Sequence, residues 1–132
     1  AGGAYNGNEP YVRVYSFQVN KWQELGSALV GNVNSGDRFG NLLDLSNDGY
    51  TLVVGAPGAQ NGTGPGAGYV RVFRFIDSQW HQVGQDLEGV VFGDQFGDAV
   101  ALSSDGMVFA GASVGNDYSG RDAGNIRVFS SV

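Results

Sequence analysis

The sequence predicts an all-β chain built from four-stranded antiparallel blades. Three observations carry that reading: a motif set written twice at a long interval, abundant glycine between short apolar runs, and the lack of any sustained helical period. Phe39-Gly40-Asn41-Leu42-Leu43-Asp44-Leu45-Ser46-Asn47-Asp48-Gly49 returns as Phe96-Gly97-Asp98-Ala99-Val100-Ala101-Leu102-Ser103-Ser104-Asp105-Gly106. Gly55-Ala56-Pro57 is matched to Gly111-Ala112-Ser113, and Gly68-Tyr69-Val70-Arg71-Val72-Phe73 to Gly124-Asn125-Ile126-Arg127-Val128-Phe129. Tyr11-Val12-Arg13-Val14-Tyr15 is a third copy of the last motif, and Trp22 and Trp80 keep the same step. The offset is 58 at the tryptophans, 57 at the Phe-Gly pairs and 56 at the final strand. Self-similarity at such a period marks modules that bury their faces on one another.

Each element follows from local chemistry. Phe39 to Leu45 reads as strand A, and Asn47-Asp48-Gly49 as a tight turn, because Asp-Gly supplies the positive φ that a two-residue hairpin needs. Thr51-Leu52-Val53-Val54 is a nearly all-apolar strand B, covered on both faces, which Gly55-Ala56-Pro57 ends because proline cannot donate to a ladder. After a Gly/Asn/Thr-rich loop, strand C runs from Tyr69 to Phe75 with alternating faces, Asp77-Ser78 turns the chain, and Trp80 to Leu87 forms strand D. Four short antiparallel strands in each unit of this length is the grammar of a β-propeller blade. On this reading residues 1–38 form a partial blade with strands C and D, residues 39–95 a complete blade, and residues 96–132 a partial blade with strands A to C. A one-residue-shorter strand B with a small bulge accounts for the shift in the last unit. The chain, about two blades with incomplete ends, is expected to be part of a longer propeller or a subunit completed by neighbours, since an isolated two-blade pair exposes a large apolar face.

Composition narrows the function. The chain has 132 residues and 23 glycines, far above the roughly 7% average, with no Gly-X-Y period. Net charge is -6 with no basic cluster, which excludes the electrostatic term of nucleic-acid binding and disfavours anionic membranes. No apolar run approaches the ~20 residues of a membrane-spanning helix. No charged-then-apolar leader opens the sequence, although a chain whose leader is removed reads the same way. Cysteine is absent, which removes disulfide and thiolate chemistry.

These residues resemble the FG-GAP repeat, named for its Phe-Gly and Gly-Ala-Pro signatures and best known from the propeller of integrin α subunits. Phe39-Gly40 and Gly55-Ala56-Pro57 match both signatures; Phe96-Gly97 and Gly111-Ala112-Ser113 match with one change. The form Leu-Ser-x-Asp-Gly before an aliphatic strand is similar to repeats of large bacterial and algal surface proteins. The resemblance implies a propeller fold and an extracellular or cell-surface setting, with the loops between strands D and A and between B and C on the ligand-facing side. Here those loops are Val30 to Gly36, Gly58 to Ala67, Glu88 to Gly93 and Val114 to Ala123. Many such blades bind calcium through an A–B loop rich in aspartate. The corresponding turns here hold only Asp48 and Asp105, too few oxygens for an ion that takes six to eight, so neither metal nor cofactor is expected.

Candidate chemistry is sparse. His81 is the single histidine and Gln23 takes its place in the N-terminal copy, so no triad and no enzyme is expected. Asp37 and Asp94 precede the Phe-Gly pairs at matched positions. Repetition places them on different blades, where accepting backbone N–H bonds is the ordinary role, rather than opposite one another as a glycosidase requires. Arg13, Arg71 and Arg127 recur mid-strand and call for a repeated partner, with Asp37 and Asp94 as candidates. Trp22, Trp80, Phe39 and Phe96 are expected between blades. The unmatched loop residues Tyr5, Phe92 and Tyr118, with Asn61, Asn116, Asp117 and Asp122, are the candidate contacts for a protein or glycan ligand. Asn61-Gly62-Thr63 is also a sequon for N-glycosylation. The leading expectation is a non-enzymatic structural or adhesive module that assembles, as oligomer or filament, with further blades of its own chain or other copies. The alternative is a propeller lectin, which predicts like residues in each pocket-forming loop.

Overall fold

The computed structural model describes residues 1–6, 9–32, 36–60, 64–115 and 124–131. Its strands in chain order begin with β1 (Gly2–Asn6), β2 (Glu9–Arg13), β3 (Tyr15–Gln18), β4 (Lys21–Glu24) and β5 (Leu29–Val30). The middle group is β6 (Leu42–Leu45), β7 (Thr51–Ala56), β8 (Tyr69–Ile76), β9 (Gln79–Gln82) and β10 (Leu87–Glu88). The last is β11 (Phe96–Leu102), β12 (Val108–Ser113) and β13 (Asn125–Ser130). All pairings between these strands are antiparallel, and no helix occurs among the described residues. The all-β expectation therefore holds.

The middle sheet is ordered β6-β7-β8, with both β9 and β10 on the far edge of β8. Strand D is thus two short pieces, held in line where the Val83 amide donates to the Val72 carbonyl at 2.8 Å. Every residue of β7 is buried, which is why it reads as an unbroken apolar run. The third sheet, β11-β12-β13, repeats A-B-C. The first is β1-β2-β5, continued outward by the β3–β4 hairpin. In it β1 occupies the strand B position, so the first unit holds three strand positions, not the two expected for residues 1–38. Gly3-Ala4 pairs with Tyr11-Val12 as Gly55-Ala56 pairs with Tyr69-Val70. Two residues link β1 to β2 where a long segment links strands B and C of the middle unit, and that hid the match.

Registers also correct the alignment of the last unit. Leu45↔Leu52 is matched by Leu102↔Phe109, and Leu42↔Gly55 by Ala99↔Ala112. The offset therefore stays at 57 throughout strand B, and Gly111-Ala112-Ser113 occupies the places of Val54-Gly55-Ala56. Strand B is not shortened; the missing residue falls between strands B and C. The bulge lies instead in β11, between Phe96 and Ala99.

Two turn types punctuate the units. Two-residue hairpins occur between strands C and D, at Val19-Asn20 and Asp77-Ser78, where both central residues have positive φ. The Asp-Gly turns between A and B are longer. The Ser46 amide donates to the Thr51 carbonyl at 2.9 Å, and the Ser46 hydroxyl accepts from the Thr51 amide at 3.0 Å while donating to Asp48 at 2.7 Å. Asp48 then accepts the Tyr50 amide at 2.9 Å, and Gly49 takes the left-handed φ of +80°. Ser103, Asp105, Gly106 and Val108 repeat this arrangement.

The core lies between sheets. Val12, Val14 and Leu29 of the first pack against Phe39, Leu52, Val54, Tyr69 and Phe73 of the second. Val53, Val70 and Val72 of the second pack against Phe96 and Phe109 of the third. Among the described residues, only the middle sheet is covered on both faces.

Candidate functional site

The matched residues converge on the contacts between successive sheets. Asp37 is fully buried ahead of Phe39-Gly40. Its carboxylate accepts from the Phe39 amide at 3.1 Å, the Asn32 amide at 2.8 Å and the Tyr69 hydroxyl at 2.7 Å. Burial first, and the bond to Asp37 second, push the Tyr69 hydroxyl far above the ordinary phenol range. Asp94, equally buried, accepts the Val90 and Val91 amides at 2.7 and 3.0 Å. Each aspartate pins the loop entering its own strand A. A buried carboxylate is tolerable only with such donors around it.

Arg71 projects from β8 into a polar seam between the first and second sheets. Its guanidinium forms a fork on Asp86, at 2.7 and 2.9 Å, and donates to the Asn32 side chain at 3.0 Å and the Val30 carbonyl at 3.3 Å. The plane lies over Tyr69 and Phe39, 4.5 and 5.7 Å from the ring centroids. Arg127 repeats the arrangement over Phe96 at 4.7 Å and donates to the Glu88 carbonyl at 2.7 Å. Arg71 and Arg127 therefore share a partner, the phenyl ring of the Phe-Gly pair with a carbonyl of the preceding sheet, whereas Arg13 lies over Tyr11 and pairs with Glu24 at 3.2 Å. The carboxylate on Arg71 is Asp86, neither Asp37 nor Asp94. Asp86 has no acidic counterpart in the N-terminal copy, where Ala28 stands, so repetition could not reveal it. Hydrogen bonding from Arg71 holds the Asp86 carboxyl below its usual range.

The two signatures meet across the sheets, backbone to backbone. A Cβ on Gly3 would come within 2.5 Å of the Gly40 carbonyl oxygen, and one on Gly55 would run into that of Gly97. Gly40 and Gly97 themselves hold φ of +87° and +96°. Glycine in strand B is thus required by the glycine of the next Phe-Gly pair. In the last sheet Ala112 takes this place.

The outer face of that last sheet is apolar and open. Ile126 and Val128 are 71% and 68% exposed, whereas their counterparts Val70 and Val72 are 0% and 7% exposed beneath the third sheet. Ala99, Ala101 and Val108 continue the exposed patch. Phe39 and Phe96 are buried between sheets as expected, and Trp80 packs there too. Trp22 does not: it is 69% exposed, tilted against Phe17 at 5.3 Å. Among the described residues no sheet lies over it. His81 is an exposed strand residue opposite Arg74.

Of the loop residues expected to make contacts, Phe92 is 72% exposed beside Gly64. Tyr5 lies on β1, with its side chain outside what the structure describes. Asn61, Asn116, Asp117, Tyr118 and Asp122 fall outside the described residues. No described contact brings Tyr5 and Phe92 together.

Residues 22–73, from strand D of the first sheet to strand C of the second, match the family model of the FG-GAP repeat. Over that stretch the chain is similar to the FG-GAP repeat. No curated protein matches the chain. FG-GAP repeats are generally non-catalytic structural or binding modules and typically occur in extracellular or surface proteins. No helix among the described residues is long and apolar enough to cross a membrane.

Proposed function

We propose that this chain is a non-enzymatic structural or adhesive module of an extracellular or cell-surface protein, working by stacking on further blades of its own chain or of other copies. The observation that carries the reading is the outer face of β11-β12-β13. It presents Ile126 and Val128 where the middle sheet carries Val70 and Val72, which its neighbour buries. Burying Ile126 and Val128 alone would contribute about 3–6 kcal/mol at the usual ~1.5–3 kcal/mol per large aliphatic side chain. An apolar patch of this kind on a soluble domain is the mark of an interaction surface. The residues that recur serve turns, loop anchoring and sheet contacts, which supports a role in building rather than in catalysis. Ile126→Lys with Val128→Lys tests this. The double variant is expected to abolish association measured by light scattering while keeping the β-sheet circular dichroism of the parent. Association undiminished by both charges would overturn the reading.

A further inference from the structure

Between the second and third sheets lies a cavity of about 220 Å³, lined by Val72, Val83, Gly84, Met107, Phe109 and Phe129 among others. It is smaller than the roughly 300–1,000 Å³ of small-ligand pockets and suits one large side chain. The repeat shows which. At the equivalent place between the first and second sheets sits the indole of Trp80, whose Nε1 donates to the Leu25 carbonyl at 2.7 Å and whose ring leans on Phe75 at 5.2 Å. Leu25 and Val83 are true counterparts: the Leu25 amide donates to Val14 at 2.7 Å as Val83 does to Val72 at 2.8 Å. Gly26 and Gly84 share a left-handed φ, +75° and +72°. A Cβ on Gly26 would stand 2.8 Å from Trp80 Cδ1, whereas one on Gly84 would meet nothing within 4 Å. Ser131 and Met107 replace Phe75 and Tyr50, which widens the space further.

We propose that this cavity is a socket for an indole side chain, carried by an extended strand that adds antiparallel to β13. Among the described residues β13 pairs only with β12, so its other edge offers a ladder to such a strand. The occupant is a tryptophan-bearing peptide segment of the strand D type. Its ring fills the apolar cavity, and its N–H reaches the Val83 carbonyl as that of Trp80 reaches Leu25. This rests on the reading of the chain as a module that assembles with further blades.

The test titrates the 132-residue chain with a synthetic peptide of residues 77–88, and with the same peptide carrying Trp80→Ala, by calorimetry. The expected result is saturable one-to-one binding of the first and at least about tenfold weaker binding of the second, as for a buried aromatic anchor. Met107→Glu in the chain, which puts a carboxylate in the socket, should weaken the tryptophan peptide similarly. If that variant fails to fold, the peptide pair decides alone. Equal binding of both peptides, or binding of neither, overturns the socket. Association of the chain together with failure of the peptide would leave stacking intact and remove the socket. Peptide binding by a chain that stays monomeric would do the reverse.

Discussion

Gly55→Ala isolates the stacking of sheets from everything else in the fold. Gly55 lies in β7 with no positive φ, so alanine suits its backbone and, by restricting the unfolded chain, contributes about 0.4–1 kcal/mol in favour of folding. Against this, the new methyl would enter the Gly97 carbonyl group, with the carbonyl carbon at 3.0 Å and the Gly97 Cα at 3.2 Å. Both opposing groups are backbone, so no rotamer change relieves the contact. The second and third sheets must separate across the cluster of Val53, Val70, Phe96 and Phe109, losing dispersion along the whole seam. Overpacking costs about 1–3 kcal/mol where side chains give way, and a backbone clash belongs at the upper end, so we expect a loss of about 3 kcal/mol. Urea unfolding at fixed protein concentration reads this as a midpoint lowered by roughly 1–2 M. Ala112→Gly is the control. It stands at the same place in β12 with no further sheet over it among the described residues, and should cost at most about 1 kcal/mol. A Gly55→Ala protein within about 0.5 kcal/mol of the parent would refute the close approach of the two signatures.

Other consequences follow from the same contacts. Tyr69→Phe removes a donor from the buried Asp37 carboxylate and should cost about 1.5–3 kcal/mol in the same unfolding assay, with the ring packing retained. Ser46→Ala removes the acceptor of the buried Thr51 amide and should cost about 1–2 kcal/mol. Asp86 has a lowered pKa in the folded protein, so its pair with Arg71 stabilises above the ordinary carboxylate value of about 3.9 and is lost as pH falls through the folded one. Asp86→Asn should therefore flatten the acid limb of stability below about pH 4 and leave a smaller difference between pH 4 and pH 2 than the parent shows.

What the sequence disclosed was what repetition disclosed. Strand order, the place of the Asp-Gly turns and the burial of Phe39 and Phe96 all follow from motifs shared by each unit, whereas the turn is longer than the two-residue hairpin expected because the Ser46 hydroxyl closes it on Thr51. The strand at Gly2–Asn6 was hidden because its Gly-Ala pair sits one short hairpin, not a long loop, before Tyr11. Matching Gly111-Ala112-Ser113 by letter misplaced it by one residue; only the ladder shows that a deletion lies in the loop rather than the strand. The exposure of Trp22 was illegible for another reason. Its motif is that of Trp80, but burial depends on what stands opposite, and no single unit encodes that. The partner of Arg71 was missed because Asp86 occurs once. The socket at Gly84 needed both kinds of information, the repeat and the open space beside one copy of it.

The central claim is that these sheets stack through repeated faces and that the last face remains open to another. Light scattering across a dilution series of the purified chain addresses it most directly. The account predicts a discrete oligomer or a regular filament, well above the 13.8 kDa of one chain and abolished by Ile126→Lys with Val128→Lys. A folded monomer of that mass at every concentration would contradict it.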